Sequence, residues 1–176
     1  VKHDGRHKAQ LVAGGHLTET PIDSAHSSSV SLQGIQILAF LGEPNGLKVW
    51  STDIGNAYLE TCTREKVHII AGAEFGDQEG HVLIVSKALY GLHSSGLQRL
   101  ERLADVLRSM GFFPSKAEKD IWMRDEGDHC ECIAVHVDDL MIASCIPEVI
   151  VKALIDEHNF KLKGTGPTEF RLGCDF

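Results

Sequence analysis

Cys132-Ile133-Ala134-Val135-His136-Val137-Asp138-Asp139-Leu140-Met141-Ile142-Ala143 sets an Asp-Asp pair between two apolar runs. Cys132 to Val137 reads as a strand, the two aspartates as a tight turn, and Leu140 to Ala143 as the returning strand: a hairpin with carboxylates at its tip. A second acidic patch, Ser51-Thr52-Asp53-Ile54, closes the strand candidate Lys48-Val49-Trp50-Ser51-Thr52. A sheet that set these strands side by side would gather three carboxylates, and such a cluster repels itself unless cations neutralise it. Mg²⁺ prefers hard oxygen ligands and keeps waters and substrate phosphates in its shell. Two ions about 3.5 to 4 Å apart would suit phosphoryl transfer, activating an attacking hydroxyl and stabilising a leaving pyrophosphate. The competing reading is plain: Asp-Asp is a common turn pair, and Asp at a strand end often caps the next helix.

Working outward, Leu32, Ile35, Leu38 and Leu41 recur at helical spacing up to Gly42, with Ser27-Ser28-Ser29 as the cap and Gly34 as a weak point. Glu43-Pro44-Asn45-Gly46 is a turn. Val67 to Ile70 and His81 to Val85 form a hairpin across Gly76 to Gly80. Leu97, Leu100, Leu103, Ala104, Leu107 and Met110 make an amphipathic stripe that Gly111 stops. Asp120 to Arg124 is a short strand, a helix runs from Pro147 to about Asn159, and Thr168 to Cys174 alternates like a strand. From Lys48 onward the order is that of an α+β, ferredoxin-like split βαβ unit with an inserted hairpin.

The 176 residues suffice for one domain with a sizeable core. The formal net charge of −8 argues against autonomous tight binding of nucleic acid through phosphate contacts. A polymerase core remains compatible with it, because catalytic carboxylates add negative charge themselves. No apolar run approaches membrane-spanning length, and no partner membrane is expected. The chain begins at Val1 rather than methionine, which suggests a piece of a longer product. Five cysteines, Cys62, Cys130, Cys132, Cys145 and Cys174, show no CxxC pair and fit a reducing intracellular compartment. His129-Cys130-Glu131-Cys132 with His136 has a zinc reading, but Cys130, Cys132 and His136 also fall at even spacings along a strand.

Taken in order, Lys8-Ala9-Gln10-Leu11-Val12-Ala13, Thr52-Asp53-Ile54-Gly55-Asn56-Ala57-Tyr58-Leu59, Lys87-Ala88-Leu89-Tyr90-Gly91-Leu92 and Val135-His136-Val137-Asp138-Asp139-Leu140 resemble the reverse transcriptase of copia-type retrotransposons, over nearly the whole chain. The resemblance implies a right-hand polymerase fold: residues 1–47 as a partial fingers segment, and 48–176 as a palm with an inserted hairpin, ending at a primer-grip-like strand, with thumb and RNase H absent. It implies that Asp53 and Asp138 hold two Mg²⁺ ions, for which Mn²⁺ can substitute, with Asp139 as the less direct third carboxylate. Lys8, Asn56, Ala57, Tyr58, Tyr90 and Gly91 would contact the nucleotide, Tyr58 selecting deoxyribose. His136, Leu172 and Gly173 would contact the primer; Lys161 or Lys163 is a candidate proton donor to pyrophosphate, although composition favours a solvated lysine at either position.

The implied activity is RNA-directed DNA synthesis within a Pol polyprotein. Its partners would be template-primer, deoxynucleoside triphosphates and the polyprotein's thumb, RNase H and integrase. Its place would be the cytoplasm, in a virus-like particle, with the nucleus as a second compartment. Departures from the family pattern are Gln10 for arginine, His136 for tyrosine, His93 for a basic residue and Arg99 for tryptophan. A degenerate, non-catalytic palm remnant and a palm-type nucleotide cyclase are the alternatives. No Walker-type glycine-rich loop is present.

Overall fold

The computed structural model describes residues 12, 29–55, 62–63, 66–92 and 95–168, together with backbone strands at 170–171 and 174–175. In chain order the elements are α1 (Leu32–Gly42), β1 (Lys48–Ile54), β2 (His68–Ile70), a 3₁₀ helix (Ala73–Gln78), β3 (Val82–Ile84), α2 (Ser95–Ser109), β4 (Phe113–Pro114), β5 (Ile121–Asp125), β6 (Cys130–His136), β7 (Asp139–Ser144), α3 (Pro147–Asp156), β8 (Leu162–Pro167), β9 (Phe170–Arg171) and β10 (Cys174–Asp175). The chain divides into two units, residues 1–26 with 58–100, and residues 27–57 with 101–176.

In the second unit an antiparallel sheet runs in the order β4-β5-β6-β7-β1-β8. Side chains alternate between its faces. One face carries Cys132, Ala134, Met141 and Ala143, which pack with Val30, Ile35 and Leu38 of the α1 segment. The opposite face carries Ile133, Val135, Leu140 and Ile142, all buried, and α3 packs against β1 and β7. Because both faces are covered, β6 and β7 read as continuous apolar runs rather than as alternating ones.

Ser31 caps α1, its Oγ accepting from Gly34 N–H at 3.0 Å. The expected cap at Ser27 to Ser29 lies upstream of it. Glu118 reinforces this end, accepting from the Ser31 hydroxyl at 3.1 Å and from the Ser31 backbone N–H. Gly34 is a close-approach position: a Cβ there would stand 2.4 Å from Glu118 Oε2 and 2.8 Å from Val30 Cγ2. The turn at Gly111, with φ of 85°, ends α2 where the sequence pattern stops it. Helix α3 ends at Asp156, short of the expected Asn159, because Asn159 takes a left-handed φ of 58°.

Two expectations are corrected. The hairpin turn is Val137-Asp138, not Asp138-Asp139: Asp139 is the first residue of β7, paired with both β1 and β6. The strand that follows α3 into the sheet is Leu162–Pro167, and among the described residues the terminal strands pair with each other, Cys174 opposite Arg171 and Asp175 opposite Phe170.

In the first unit β2 and β3 pair antiparallel, His68 opposite Ile84 and Ile70 opposite Val82. Isolated bridges join Val12 to Tyr90 and Cys62 to Lys87.

Candidate active site

Strand register brings the acidic patches together. Asp53 on β1 lies opposite Asp139 on β7, and Asp139 lies opposite His136 on β6. Residues directly opposite in an antiparallel ladder share a face, so His136, Asp139 and Asp53 form one transverse row, with Cβ atoms about 4.5–5.5 Å apart between neighbours. On the far side of β1, Lys163 of β8 stands opposite Asp53 and completes the row. All but the lysine are half-buried; Lys163 is exposed.

Asp138 sits in the two-residue turn, and its backbone carbonyl accepts from Ile54 N–H at 2.7 Å, which ties the turn to the end of β1. Val137, the first turn residue, takes φ of 50°. A positive φ at that position alone is the pattern of a type II′ turn, where glycine is the usual occupant. A β-branched residue there is strained, and such strain concentrates at functional sites.

His136 Nδ1 donates to the Val30 carbonyl at 3.2 Å, which leaves Nε2 as the ring nitrogen for other contacts. Beside it lies a cavity of about 20 Å³ lined by Val30, Ile35, Ser51, His136, Asp139 and Met141. That is room for one water, in a mostly apolar lining whose polar members are Ser51, His136 and Asp139. Nothing in the sequence marked Val30 as a neighbour of the carboxylates, since it arrives there through the approach of the α1 segment.

Asp53, Asp138 and Asp139 offer only hard carboxylate oxygens, a donor set suited to Mg²⁺ rather than to softer metals. Their backbones are adjacent, yet among the described residues no group of three or more His, Cys, Asp or Glu side chains is gathered as a ready ligand set. Tyr90 and Gly91 belong to the other unit, where Tyr90 is half-buried and Gly91 takes φ of 92°. That φ is one glycine adopts without strain. Lys8, Asn56, Ala57, Tyr58, Leu172 and Gly173, with Gln10 and His93, lie outside the described residues.

The zinc reading of the Cys130 region finds its members otherwise engaged. His129 Nδ1 meets Asp128 Oδ1 at 2.5 Å, and Glu131 pairs with Arg124. Burial, with Cys130 beside it, pushes the Cys132 thiol up to about 12, so it stays protonated. In iodoacetamide labelling, exposed Cys62 and Cys145 are expected to react in the native chain while Cys132 reacts only on unfolding. Fast native labelling of Cys132, read by mass spectrometry, would contradict its burial.

The hydrogen bond to Asp128 raises the His129 value above 6.5, and the same bond lowers that of Asp128. The charge pair is therefore present between the lowered aspartate value and the raised histidine value. It is lost below that window as the carboxylate protonates and above it as the imidazole deprotonates. Asp128 is 89% exposed, so solvent screens the pair. NMR titration is expected to show His129 titrating above 6.5 and falling back toward that value in Asp128→Asn.

One protein-family model, described as reverse transcriptase (RNA-dependent DNA polymerase), matches residues 1–176. The chain is 25% identical over 175 residues to the retrovirus-related Pol polyprotein from transposon RE1 of Arabidopsis thaliana, covering 97% of this chain and 12% of that protein. It is 25% identical over 176 residues to its RE2 counterpart, again 97% of this chain and 12% of that protein. To the transposon Ty1-DR5 Gag-Pol polyprotein of Saccharomyces cerevisiae it is 23% identical over 180 residues, covering 99% of this chain and 10% of the relative. It thus spans about a tenth of the length of these relatives. No solved structure matches it.

Proposed function

Because the chain belongs to the reverse transcriptase (RNA-dependent DNA polymerase) family, we propose that it supplies part of the fingers and most of the palm of a retrotransposon polymerase that extends a primer on an RNA template with deoxynucleoside triphosphates. The observation that carries this is the register that sets Asp53 opposite Asp139, beside the Asp138 turn. The strand order β6-β7-β1-β8, with α2 following β1 and α3 preceding β8, supports a ferredoxin-like palm extended by β4 and β5.

Asp53 and Asp138 would hold two Mg²⁺ ions, with Mn²⁺ as substitute and Asp139 as the third carboxylate. When bound, such ions activate the attacking 3′-hydroxyl and neutralise charge on the leaving pyrophosphate. The ladder holds the Asp53 and Asp139 backbones side by side next to the Asp138 turn, so gathering the carboxylates round an ion would take side-chain rotation rather than movement of the sheet. His136, fixed by Val30, stands on the row where a primer end would lie. Lys163 offers an ammonium on the same face for the phosphates.

Since its relatives are Pol or Gag-Pol polyproteins, the chain would act within a Pol polyprotein; we place it alongside thumb, RNase H and integrase segments, in a cytoplasmic particle. No helix of the described residues is long and apolar enough to cross a membrane.

A second reading, a palm that keeps its fold without catalysis, draws on His136 in place of the family's tyrosine and on the absence of a gathered metal-ligand group among the described residues. Primer extension on RNA with Mg²⁺ at low salt separates the two. The polymerase reading expects extension by the native chain, none by Asp53→Asn, and no turnover of nucleotide without primer and template. A folded native chain that extends nothing favours the remnant, and primer-independent turnover favours a nucleotide cyclase.

A further inference from the structure

The pairing of β1 with β8 contains an irregularity at the Asp53 end. Trp50 and Ser51 lie opposite Pro167 and Gly166, whereas Asp53 and Ile54 lie opposite Lys163 and Leu162. One residue of β1, Thr52, therefore spans two of β8, Gly164 and Thr165. The extra residue is a β-bulge, and Gly164 within it takes φ of 59°. Thr52, fully buried, stitches the bulge from below: its hydroxyl meets Thr165 Oγ1 at 2.7 Å and donates to the Lys163 carbonyl at 3.3 Å.

The bulge matters because a one-residue shift moves a side chain to the other face of a sheet. In unbroken register Asp53 would face Gly164, and Lys163 would fall opposite Ile54, on the face away from the carboxylates. A second glycine then accommodates the lysine. A Cβ built on Gly55 would stand 2.7 Å from Lys163 Cε and 3.1 Å from both Lys163 Cδ and the Lys161 carbonyl oxygen. That carbonyl accepts from Gly55 N–H at 2.7 Å, so β8 cannot move aside without losing a ladder bond. Lysine 161 is thereby set apart from Lys163: the former contributes its backbone to the ladder, the latter its side chain to the row.

We infer that Gly164 and Gly55 are positioning residues for Lys163: the first turns the lysine onto the Asp53 face, and the second leaves the trough in which its stem lies. This rests on the polymerase reading for its purpose, which is to hold an ammonium where phosphates meet Asp53. It does not rest on that reading for its geometry, and the test keeps the two apart.

The full chain is reductively methylated with ¹³C, and the Lys163 methyl resonance is assigned by its loss in Lys163→Arg. Asp53→Asn is expected to shift that resonance in the native background. The shift should vanish with Gly55→Ala, where the new Cβ displaces the lysine stem, and with Gly164→Val, since a β-branched residue is strained at a left-handed φ. It should persist with Gly164→Asn, since asparagine tolerates that φ. Gly55→Ala is the mild variant: its φ lies outside the left-handed region and its first obstacle is a flexible side chain.

In primer extension, Lys163→Ala is expected to lower kcat by about 10²-fold and leave KM for nucleotide nearly unchanged. Gly55→Ala should lower kcat by roughly 10-fold through misplacement, and the double variant should be no slower than Lys163→Ala alone. A Lys163 resonance indifferent to Asp53→Asn, or effects of Gly55→Ala and Lys163→Ala that multiply, would overturn the assignment. A chain that shows the Asp53-dependent shift but extends no primer keeps the positioning geometry and removes the polymerase reading.

Discussion

Replacing Asp138 by asparagine is expected to lower Mg²⁺-dependent primer extension by about 10²- to 10³-fold, with the circular dichroism of the native chain retained. The substitution is nearly isosteric, and the part of Asp138 seen to hold the fold is its backbone carbonyl, which accepts from Ile54 N–H at 2.7 Å. Asparagine keeps that backbone carbonyl, and exchanges the carboxylate for a neutral amide of nearly the same shape. A loss of activity in a folded variant would therefore report on charge at the tip of the hairpin. Asp53→Asn should behave alike, since Asp53 lies near the C-terminal end of β1 across from Asp139. Asp139→Asn should cost less if the third carboxylate is the less direct one. Retention of more than a tenth of native extension by Asp138→Asn would remove Asp138 from the metal-binding role.

The second large effect lies away from the carboxylates. Arg124→Met is expected to destabilise the chain by about 3–5 kcal/mol, a fall in Tm of roughly 6–20 °C. Glu131 is 5% exposed, and the Arg124 guanidinium meets its Oε2 at 2.5 Å through Nη2 and 3.2 Å through Nε. The same guanidinium donates to the Met110 carbonyl at 2.9 Å, pairs with Glu126 at 2.8 Å and lies 4.5 Å from the Phe112 ring centroid. The other carboxylate oxygen accepts from Ser144 Oγ, whose oxygen in turn accepts from Ile146 N–H at 2.9 Å.

One ion pair thus joins the end of α2, strands β5 and β6, the end of β7 and the start of α3. Removing the arginine leaves a carboxylate buried with a single hydroxyl donor, and that desolvation is the source of the cost. Removing both charges, as Arg124→Met with Glu131→Leu, should cost less than Arg124→Met alone. Thermal unfolding that ranked the double variant lower would contradict this account.

Local pattern and tertiary context contributed differently to these sites. The α2 stripe and its stop at Gly111 were legible because helical periodicity and a glycine terminus are local signals, and β5, β6 and α3 were legible for the same reason. The hairpin tip was misjudged by one residue. Asp-Asp has the chemistry of a turn, but pairing with Asp53 and His136 draws Asp139 into β7 and pushes the turn back onto Val137, against its own preference for φ. Strand β8 escaped notice because Lys163-Gly164-Thr165-Gly166-Pro167 has poor strand propensity. What makes it a strand is a ladder to β1 that no local window contains.

By itself, then, the sequence determined the helices, the apolar strands and which carboxylates are candidates, because those properties depend on neighbours a few residues apart. The tertiary structure alone decided that Asp53, Asp139, His136 and Lys163 share one row and that Glu131 is answered by Arg124. Those pairings depend on strand register, where a shift of a single residue turns a side chain to the opposite face.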